Sequence, residues 1–295
     1  MYSQCETTQV TEHDKGASLF GYTKLYGSVP GGQAEYLRVP QAQFGPIKVP
    51  DGPPDARFIY LSDVLPTAWQ AVAYADVPTG GSLAIFGLGP IGQMSVRVAR
   101  ERGIENVVGV DLVPERLEMA ARYGATTLDT REHEDVSATI RELTNGRGPD
   151  AVIDAVGLEA HGSPGAAAAQ KMSGLLPDKL AEKLNERAGI DRMAALLTAI
   201  DTVKRGGTLS ISGVYGGAAD PMPMMQLFDK QIQIRMGQAN VRRWVDDIMP
   251  LLLDDSDPLG TEDFATHQVP LADAPQAYER FQKKEDEAIK VVLKP

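Results

Sequence analysis

A glycine-rich turn is the stretch whose residue types and spacing point most directly to a chemical role. It follows an apolar run at 83–86 and reads Gly87-Leu88-Gly89-Pro90-Ile91-Gly92. In such a turn the first glycine permits tight bending, the second lets the backbone approach a pyrophosphate, and the third lets the following helix pack on the strand. Free N–H groups at the helix N-terminus would bind the anion. The run therefore predicts a dinucleotide-binding turn, with a ligand-free glycine turn as the alternative.

An acidic residue follows at the spacing that a ribose-binding carboxylate requires. Asp111 lies 19 residues after Gly92, at the end of the apolar run 107–110. A carboxylate there can accept hydrogen bonds from both ribose hydroxyls and would repel a 2′-phosphate. We therefore expect NAD rather than NADP as the cofactor. Arg116 is a candidate to lie over the adenine, or equally an exposed arginine on a helix face.

Two later turns are candidates for the nicotinamide half of the site. One apolar run ends near residue 154 and another near residue 211. Ligands of open α/β sheets bind at the carboxyl edge of the strands. We expect backbone at these ends to line the nicotinamide, with ordinary strand-to-helix turns as the alternative. The residues concerned are Val156, Gly157, Gly213 and Val214.

A sheet and its helices must position these residues. From about residue 63, short apolar runs at 83–86, 107–110, 151–153, 208–211 and 231–234 alternate with helical patterns at about 91–102, 114–123, 134–144, 194–204 and 240–252. Such alternation is typical of βαβ units, whose parallel sheet is covered on both faces. The sequence predicts an α/β fold with a doubly wound parallel sheet of the Rossmann type.

The segments on either side of this pattern indicate a second domain. Residues 1–62 are rich in Gly and Pro between short candidate strands such as 34–39, and a closing strand is predicted at 288–294 that could pair with them. We therefore divide the chain at 1–62, 63–252 and 253–295, the last segment returning to the first domain. The crossover from 154 to 208 is longer than one helix and two loops need. An insertion at about 158–193 is expected, either without a role or as a lid or subunit contact.

Composition excludes several classes of function. The chain has 295 residues, 43% of them hydrophobic and 23% charged, which is ordinary for a globular protein. The net charge of −11 disfavours nucleic acid and anionic membranes as partners. One cysteine cannot form a disulfide framework within the chain. With no apolar run of membrane-spanning length and no signal sequence at Met1, a soluble cytoplasmic protein is expected.

The chain resembles the zinc-type medium-chain alcohol dehydrogenases, in the branch of glutathione-independent formaldehyde dehydrogenase and formaldehyde dismutase-like enzymes. The resemblance rests on Gly21–Tyr36, on Leu61–Trp69, and on the glycine turn with Asp111. It implies reversible hydride transfer between an alcohol or hydrated aldehyde and NAD, with a catalytic zinc polarising the oxygen. It also implies a GroES-like β domain formed by both chain ends, and a homo-oligomer assembled through the Rossmann sheet.

The resemblance also implies metal positions that this chain fills only in part. Asp63 matches the third ligand of the catalytic zinc, although Ser62 or Asp63 could instead cap a helix. Thr67 matches a position near the nicotinamide, with a buried helical threonine as the alternative. Cys5 matches the last cysteine of a structural zinc lobe. The family's other ligands, a Cys, a Gly-His-Glu motif and three further cysteines, are absent, so the β domain is expected to be incomplete and the chain N-terminally truncated.

Histidines do not complete either metal site. His13, His133, His161 and His267 are scattered and lack the i, i+4 spacing of a helical metal pair. Zinc in this chain is therefore doubtful. The leading hypothesis is a zinc-type, NAD-dependent alcohol or aldehyde dehydrogenase acting on a small molecule. The alternatives are an NAD-binding module without turnover and a zinc-free reductase, which Asp111 disfavours because that group usually takes NADPH.

Overall fold

The structure is a computed structural model that describes residues 5–156, 193–215 and 222–295. Two compact units form. One comprises Met1–Thr67 and Gln238–Pro295, and the other comprises Ala68–Gly237. The units divide after Thr67 and after Gly237, whereas the sequence analysis divides the chain after residues 62 and 252. Gly157 and almost all of the expected insertion lie outside the described residues.

The unit Ala68–Gly237 is built on a six-stranded parallel sheet. Its strands, in chain order, are β3 (Ser82–Phe86), β4 (Asn106–Asp111), β5 (Thr126–Asp129), β6 (Ala151–Asp154), β7 (Thr208–Ile211) and β8 (Gln233–Met236). They lie side by side in the order β5-β4-β3-β6-β7-β8, and every neighbouring pair is parallel. The order reverses between β3 and β6, which is where ligands of such sheets bind. The predicted α/β, Rossmann-type fold is confirmed.

Helices cover both faces of this sheet. They are α2 (Val64–Ala75), α3 (Pro90–Glu101), α4 (Pro114–Arg122), α5 (Val136–Leu143), α6 (Ala194–Thr202) and α7 (Met224–Lys230). On one face, Ala84, Val152 and Leu209 pack with Ile140 of α5 and Ile200 of α6. On the other face, the Ser210 hydroxyl donates to the Ala71 carbonyl of α2 at 2.9 Å. All residues of β3, β6 and β7 are buried, as expected for central parallel strands.

The other unit contains two small sheets. Strands β1 (Gln9–Val10) and β2 (Lys15–Ala17) are antiparallel, whereas β9 (His267–Pro270) and β10 (Val291–Lys294) are parallel. Its helices are α1 (Asp55–Phe58), α8 (Val241–Leu253) and α9 (Ala274–Lys283), with short 3-10 turns at Thr11–His13, Lys24–Tyr26, Ile59–Ser62 and Leu271–Asp273.

A buried arginine links the N-terminal and C-terminal segments of this unit. The Arg57 Nε donates to the Glu262 carboxylate at 2.6 Å, and its Nη1 donates to the Asp254 carbonyl at 2.5 Å. Arg57 is only 6% exposed. Because a buried guanidinium needs such partners, these contacts link the two chain segments of the unit.

Two strand predictions are wrong. The segment 34–39 forms no strand, since Tyr36 is 91% exposed and the described residues offer it no partner strand. The closing strand forms as β10 but pairs with β9, with Val291 opposite His267, rather than with the N-terminal strands. Strand β5 was not predicted.

Among the described residues, no helix combines the length and the apolar character that crossing a bilayer demands.

Candidate functional site

The glycine-rich turn lies at the carboxyl end of β3, at the centre of the sheet. Gly87 has φ +84°, which favours glycine, and its N–H donates to the Val110 carbonyl of β4 at 2.8 Å. A Cβ at Gly87 would lie 2.8 Å from the Val156 side chain. The bend therefore needs glycine for both conformation and space.

Gly92 lies in the first turn of α3 and touches the start of the same bend. A Cβ at this position would lie 1.9 Å from the Gly87 carbonyl oxygen. This distance is far below any contact that real Cβ atoms make. Gly92 therefore allows the close packing of helix on strand that the sequence predicts.

Gly89 is different, because none of the described residues crowds it. Its φ is −64°, and the nearest atom to an added Cβ would be a guanidinium nitrogen of Arg116 at 3.8 Å. The structure thus gives no internal reason for glycine at this position. The space beside Gly89 is a cradle that a side chain would fill, as expected where a pyrophosphate approaches the backbone.

The helix N-terminus beside this cradle has donors to offer. Pro90 is the first residue of α3 and lacks an N–H, and the Gln93 N–H donates to the Gly89 carbonyl at 2.9 Å. Within the described part of the chain, the N–H groups of Ile91 and Gly92 are not paired with an acceptor. Two free donors at the positive end of a 12-residue helix suit a phosphate. The residues present therefore fit a dinucleotide.

Asp111, at the end of β4, stabilises the glycine turn by accepting backbone hydrogen bonds. Its Oδ2 accepts from the Leu88 N–H at 2.7 Å, and its Oδ1 accepts from the Leu112 N–H at 2.7 Å and the Val113 N–H at 2.9 Å. Asp111 is 8% exposed. A carboxylate has about four acceptor positions, so three are already used. Asp111 therefore shapes the turn through its backbone contacts, and its ribose role stays a prediction.

Arg116 lies in α4, across the turn from Gly89. Its Nη1 is 3.7 Å from the Asp111 Oδ2, and its side chain is 13% exposed. The alternative of a freely solvated arginine is therefore wrong for the described structure. Whether the guanidinium lies over an adenine is not tested by these contacts and stays a prediction.

Gln93 is a residue of this site that the sequence reasoning missed. It is fully buried in α3, and its Nε2 donates to the Leu88 carbonyl at 3.0 Å and to the Arg116 carbonyl at 2.6 Å. It thus links the glycine turn to α4. The available signal was a polar residue at the buried helix position directly after Gly92.

The predicted nicotinamide-lining residues lie at the ends of β6 and β7. Val156 is half-buried beside Gly87, Gly213 is half-buried, and the Val214 side chain is 70% exposed. The N–H groups of Ser212 and Gly213 both donate to the Asp154 carbonyl at 2.9 Å. The two strand ends are therefore joined directly by hydrogen bonds.

Asp63 and Thr67 lie together in the other unit, at the start of α2. The Thr67 hydroxyl donates to the Asp63 Oδ1 at 2.8 Å, and the Thr67 N–H donates to the Asp63 carbonyl at 2.9 Å. Asp63 is thus the N-cap residue by position, and its side chain is paired with a threonine hydroxyl. Burial lowers the pKa of Lys290, while the charge of Asp63 acts in the opposite direction.

These residues do not fit a zinc ion. Structural and catalytic zinc sites need three or four His, Cys, Asp or Glu ligands. Among the described residues, no three such side chains come together. Cys5 is a free, half-buried thiol whose pKa is lowered by hydrogen bonds from Thr8 and Thr7. Asp63 contributes one carboxylate, whose Oδ1 already accepts from the Thr67 hydroxyl, so no step of a reaction is assigned to zinc in this chain.

Comparison with known proteins places these features in a family. Residues 90–171 match the family described as zinc-binding dehydrogenase. An uncharacterized zinc-type alcohol dehydrogenase-like protein, AdhB of Bacillus subtilis, is 35% identical over 99% of this chain and 73% of its own length. Formaldehyde dismutase of Pseudomonas putida is 29% identical over 95% of this chain and 68% of its own length.

Solved structures agree with the sequence comparisons. Alcohol dehydrogenase TADH from Thermus sp. ATN1 aligns with a TM-score of 0.76 and 32% identity. The alignment covers 94% of this chain and 69% of that protein. The likeness thus extends over both units, whereas the relatives are longer than the chain.

Proposed function

The chain belongs to the zinc-type alcohol dehydrogenase-like family, and from this premise we propose that it binds NAD in the glycine turn for hydride transfer between an alcohol and its carbonyl product. The family and its structural neighbours support an alcohol oxidoreductase as the broad class. NAD as the cofactor and the identity of the alcohol are part of the proposal.

One observation carries the cofactor proposal. The space beside Gly89 is open, and the free N–H groups of Ile91 and Gly92 lie at the adjoining helix N-terminus. Gly89 and the two N–H groups would hold the pyrophosphate, and Asp111 would accept from the ribose at its remaining position. Backbone at Val156, Gly213 and Val214 would border the nicotinamide. NAD, when bound, supplies the hydride acceptor that the alcohol oxidation requires.

Substrate chemistry is supported less fully by the described residues. Alcohol oxidation needs a group that stabilises the developing alkoxide and a route for the proton. Asp63 and Thr67, which are hydrogen-bonded to each other, are the two residues that we propose to lie near the reaction, and the described residues offer no metal-ligand set beside them. This favours a second candidate function, nucleotide binding without turnover.

We predict that the purified 295-residue chain binds NADH but oxidises alcohols at a rate near background. After dialysis, elemental analysis should find far less than one zinc per chain, because a single carboxylate holds zinc weakly. Assays with a panel of short alcohols and formaldehyde test the rate. Formaldehyde is included because formaldehyde dismutase is among the relatives. Robust turnover that is insensitive to a chelator would contradict this prediction and favour a zinc-free enzyme.

We also propose that the chain forms a homo-oligomer through the edge of its sheet. Among the described strands, β8 pairs with β7 alone, and exposed apolar side chains lie on β8 and on α7. These side chains are Met224, Met225, Phe228, Ile234 and Met236. An open edge with exposed apolar side chains is a surface that a second copy can cover.

Sedimentation of the unchanged chain should show a dimer or larger species, and Phe228→Asp should shift it to monomer. Phe228 is 81% exposed, so the change should leave the melting temperature nearly unaltered. Tyr36→Asp, at a side chain that is 91% exposed in the other unit, is the matched control. A monomeric unchanged chain, or an oligomer that survives Phe228→Asp, would contradict the proposed surface.

A further inference from the structure

A fully buried carboxylate lies at the carboxyl end of β6. Asp154 is 0% exposed, and its Oδ1 accepts from the Val156 N–H at 3.0 Å. Its main-chain carbonyl accepts from the Ser212 and Gly213 N–H groups. One residue thus receives donors from both strand ends that border the predicted nicotinamide.

Tyr215 completes this arrangement from the end of β7. Its hydroxyl donates to the Asp154 Oδ2 at 2.5 Å, and its side chain, like that of Val156, packs against the apolar core of the unit. Burial raises the pKa of Tyr215, and the Asp154 charge raises it further. The phenol therefore stays protonated and keeps donating throughout the ordinary pH range.

These contacts fix the backbone at three points. The Asp154 carboxylate accepts from the Val156 N–H, and the Asp154 carbonyl accepts from the Gly213 N–H. The phenol of Tyr215, the residue after Val214, donates to the same carboxylate. Val156 in turn packs against Gly87, since a Cβ on that glycine would meet its side chain. The chain of contacts runs from Tyr215 through Asp154 and Val156 to Gly87. Because Gly87 comes last in this chain, loosening the Tyr215 hydrogen bond should disturb the nicotinamide edge before it disturbs the glycine turn.

We propose that the Asp154–Tyr215 hydrogen bond positions the Val156 and Gly213-Val214 backbone for the nicotinamide ring, which makes both residues positioning residues for cofactor binding. This inference rests on the proposed function. The hydrogen bond should affect binding of the nicotinamide alone, because the adenosine and pyrophosphate of the cofactor would be held elsewhere, at Gly89, Ile91 and Asp111.

The test compares two ligands on one variant by calorimetric titration. NADH contains the nicotinamide, whereas ADP-ribose contains only the part that the glycine turn would hold. Tyr215→Phe removes one hydrogen bond to a charged group and keeps the ring. We expect NADH to bind about tenfold more weakly and ADP-ribose to bind unchanged, since a tenfold change matches a bond of that kind.

A matched control removes a phenol hydroxyl from the same unit at a distant place. Tyr123 follows α4, at the amino edge of the sheet, and its ring stacks on Arg97. Tyr123→Phe should change the affinity for neither ligand. Asp154→Asn provides a second variant should Tyr215→Phe fold poorly, and it should show the same selectivity for NADH.

Each outcome decides the proposal. Equal weakening of both ligands would show a merely structural role and overturn it, and so would unchanged binding of NADH. A wild-type chain that binds neither ligand would instead overturn the proposed function, together with this inference. A wild-type chain that binds both, with only NADH affected by Tyr215→Phe, would support it.

Discussion

Replacing Gly89 by alanine should leave the chain folded and weaken NADH binding by about a hundredfold. The added methyl would lie 3.8 Å from the Arg116 guanidinium, an ordinary contact, and a φ of −64° suits any residue. The unliganded protein should therefore accept alanine with a loss of at most about 1 kcal/mol of stability, which alanine costs at the N-cap position of α3. The methyl would occupy the space in which the pyrophosphate meets the backbone, so most of the penalty should fall on the ligand. Thermal melting and calorimetric titration of the same preparation separate these effects.

Gly92→Ala should behave in the opposite way. Its methyl would meet the Gly87 carbonyl oxygen at 1.9 Å, so α3 must move away from β3. Overpacking of this kind costs about 3 kcal/mol of folding free energy. We expect a large fall in melting temperature, with the loss of NADH binding as a consequence of the displaced turn.

Gly103→Ala serves as the control for glycine replacement itself. Gly103 has φ +79° just beyond the C-terminal end of α3, and no atom of the described residues lies within 4 Å of a Cβ added there. This variant should lose about 1 kcal/mol of stability, because a residue with a Cβ is disfavoured at positive φ, and it should bind NADH unchanged. If Gly89→Ala binds NADH as tightly as the unchanged chain, the cradle beside Gly89 is not a pyrophosphate site.

The second large effect concerns the choice of nucleotide. NADH should bind at least about tenfold more tightly than NADPH, because a 2′-phosphate would face the nearly buried Asp111 carboxylate. Arg116 opposes this effect, since its guanidinium lies beside the same carboxylate and could attract a phosphate. The ratio of the NADH affinity to the NADPH affinity therefore depends on the negative charge of Asp111 and the positive charge of Arg116.

Variants at Arg116 test that balance more cleanly than variants at Asp111. Asp111→Ala would remove the acceptor of three backbone N–H groups and loosen the turn, so its effect on affinity would be mixed with its effect on folding. Arg116→Gln keeps length and polarity while removing the charge. It should widen the gap between NADH and NADPH, whereas equal affinities in the unchanged chain would remove Asp111 from the ribose role.

Sequence patterns predicted the central sheet because its signal is local. Strands β3, β6 and β7 are short apolar runs, and a buried parallel strand reads in this way. The five helices predicted between residues 91 and 252 form within a few residues of the expected bounds. Strand β5 was missed because it lies at the edge, with Leu128 as its only buried residue, and therefore lacks an apolar run.

The part of the site that depends on the spacing of glycines was predictable from the sequence. The part that depends on contacts between residues distant in sequence was not. The roles of Gly87 and Gly92 follow from spacing, and the structure gives both a steric reason. The roles of Gln93 and Tyr215 depend on contacts with Arg116 and Asp154, which lie 23 and 61 residues away. Single-sequence patterns carry no information on such pairs. The strand at 34–39 failed for a related reason, since a strand requires a partner.

Calorimetric titration of the unchanged chain with NADH shows whether the glycine turn binds a dinucleotide. We expect saturable binding with one site per chain, and ADP-ribose should compete for it because both ligands carry the pyrophosphate that the turn would hold. Absence of saturable binding at millimolar NADH, in a chain whose cooperative melting shows that it is folded, would rule out NAD binding at the turn.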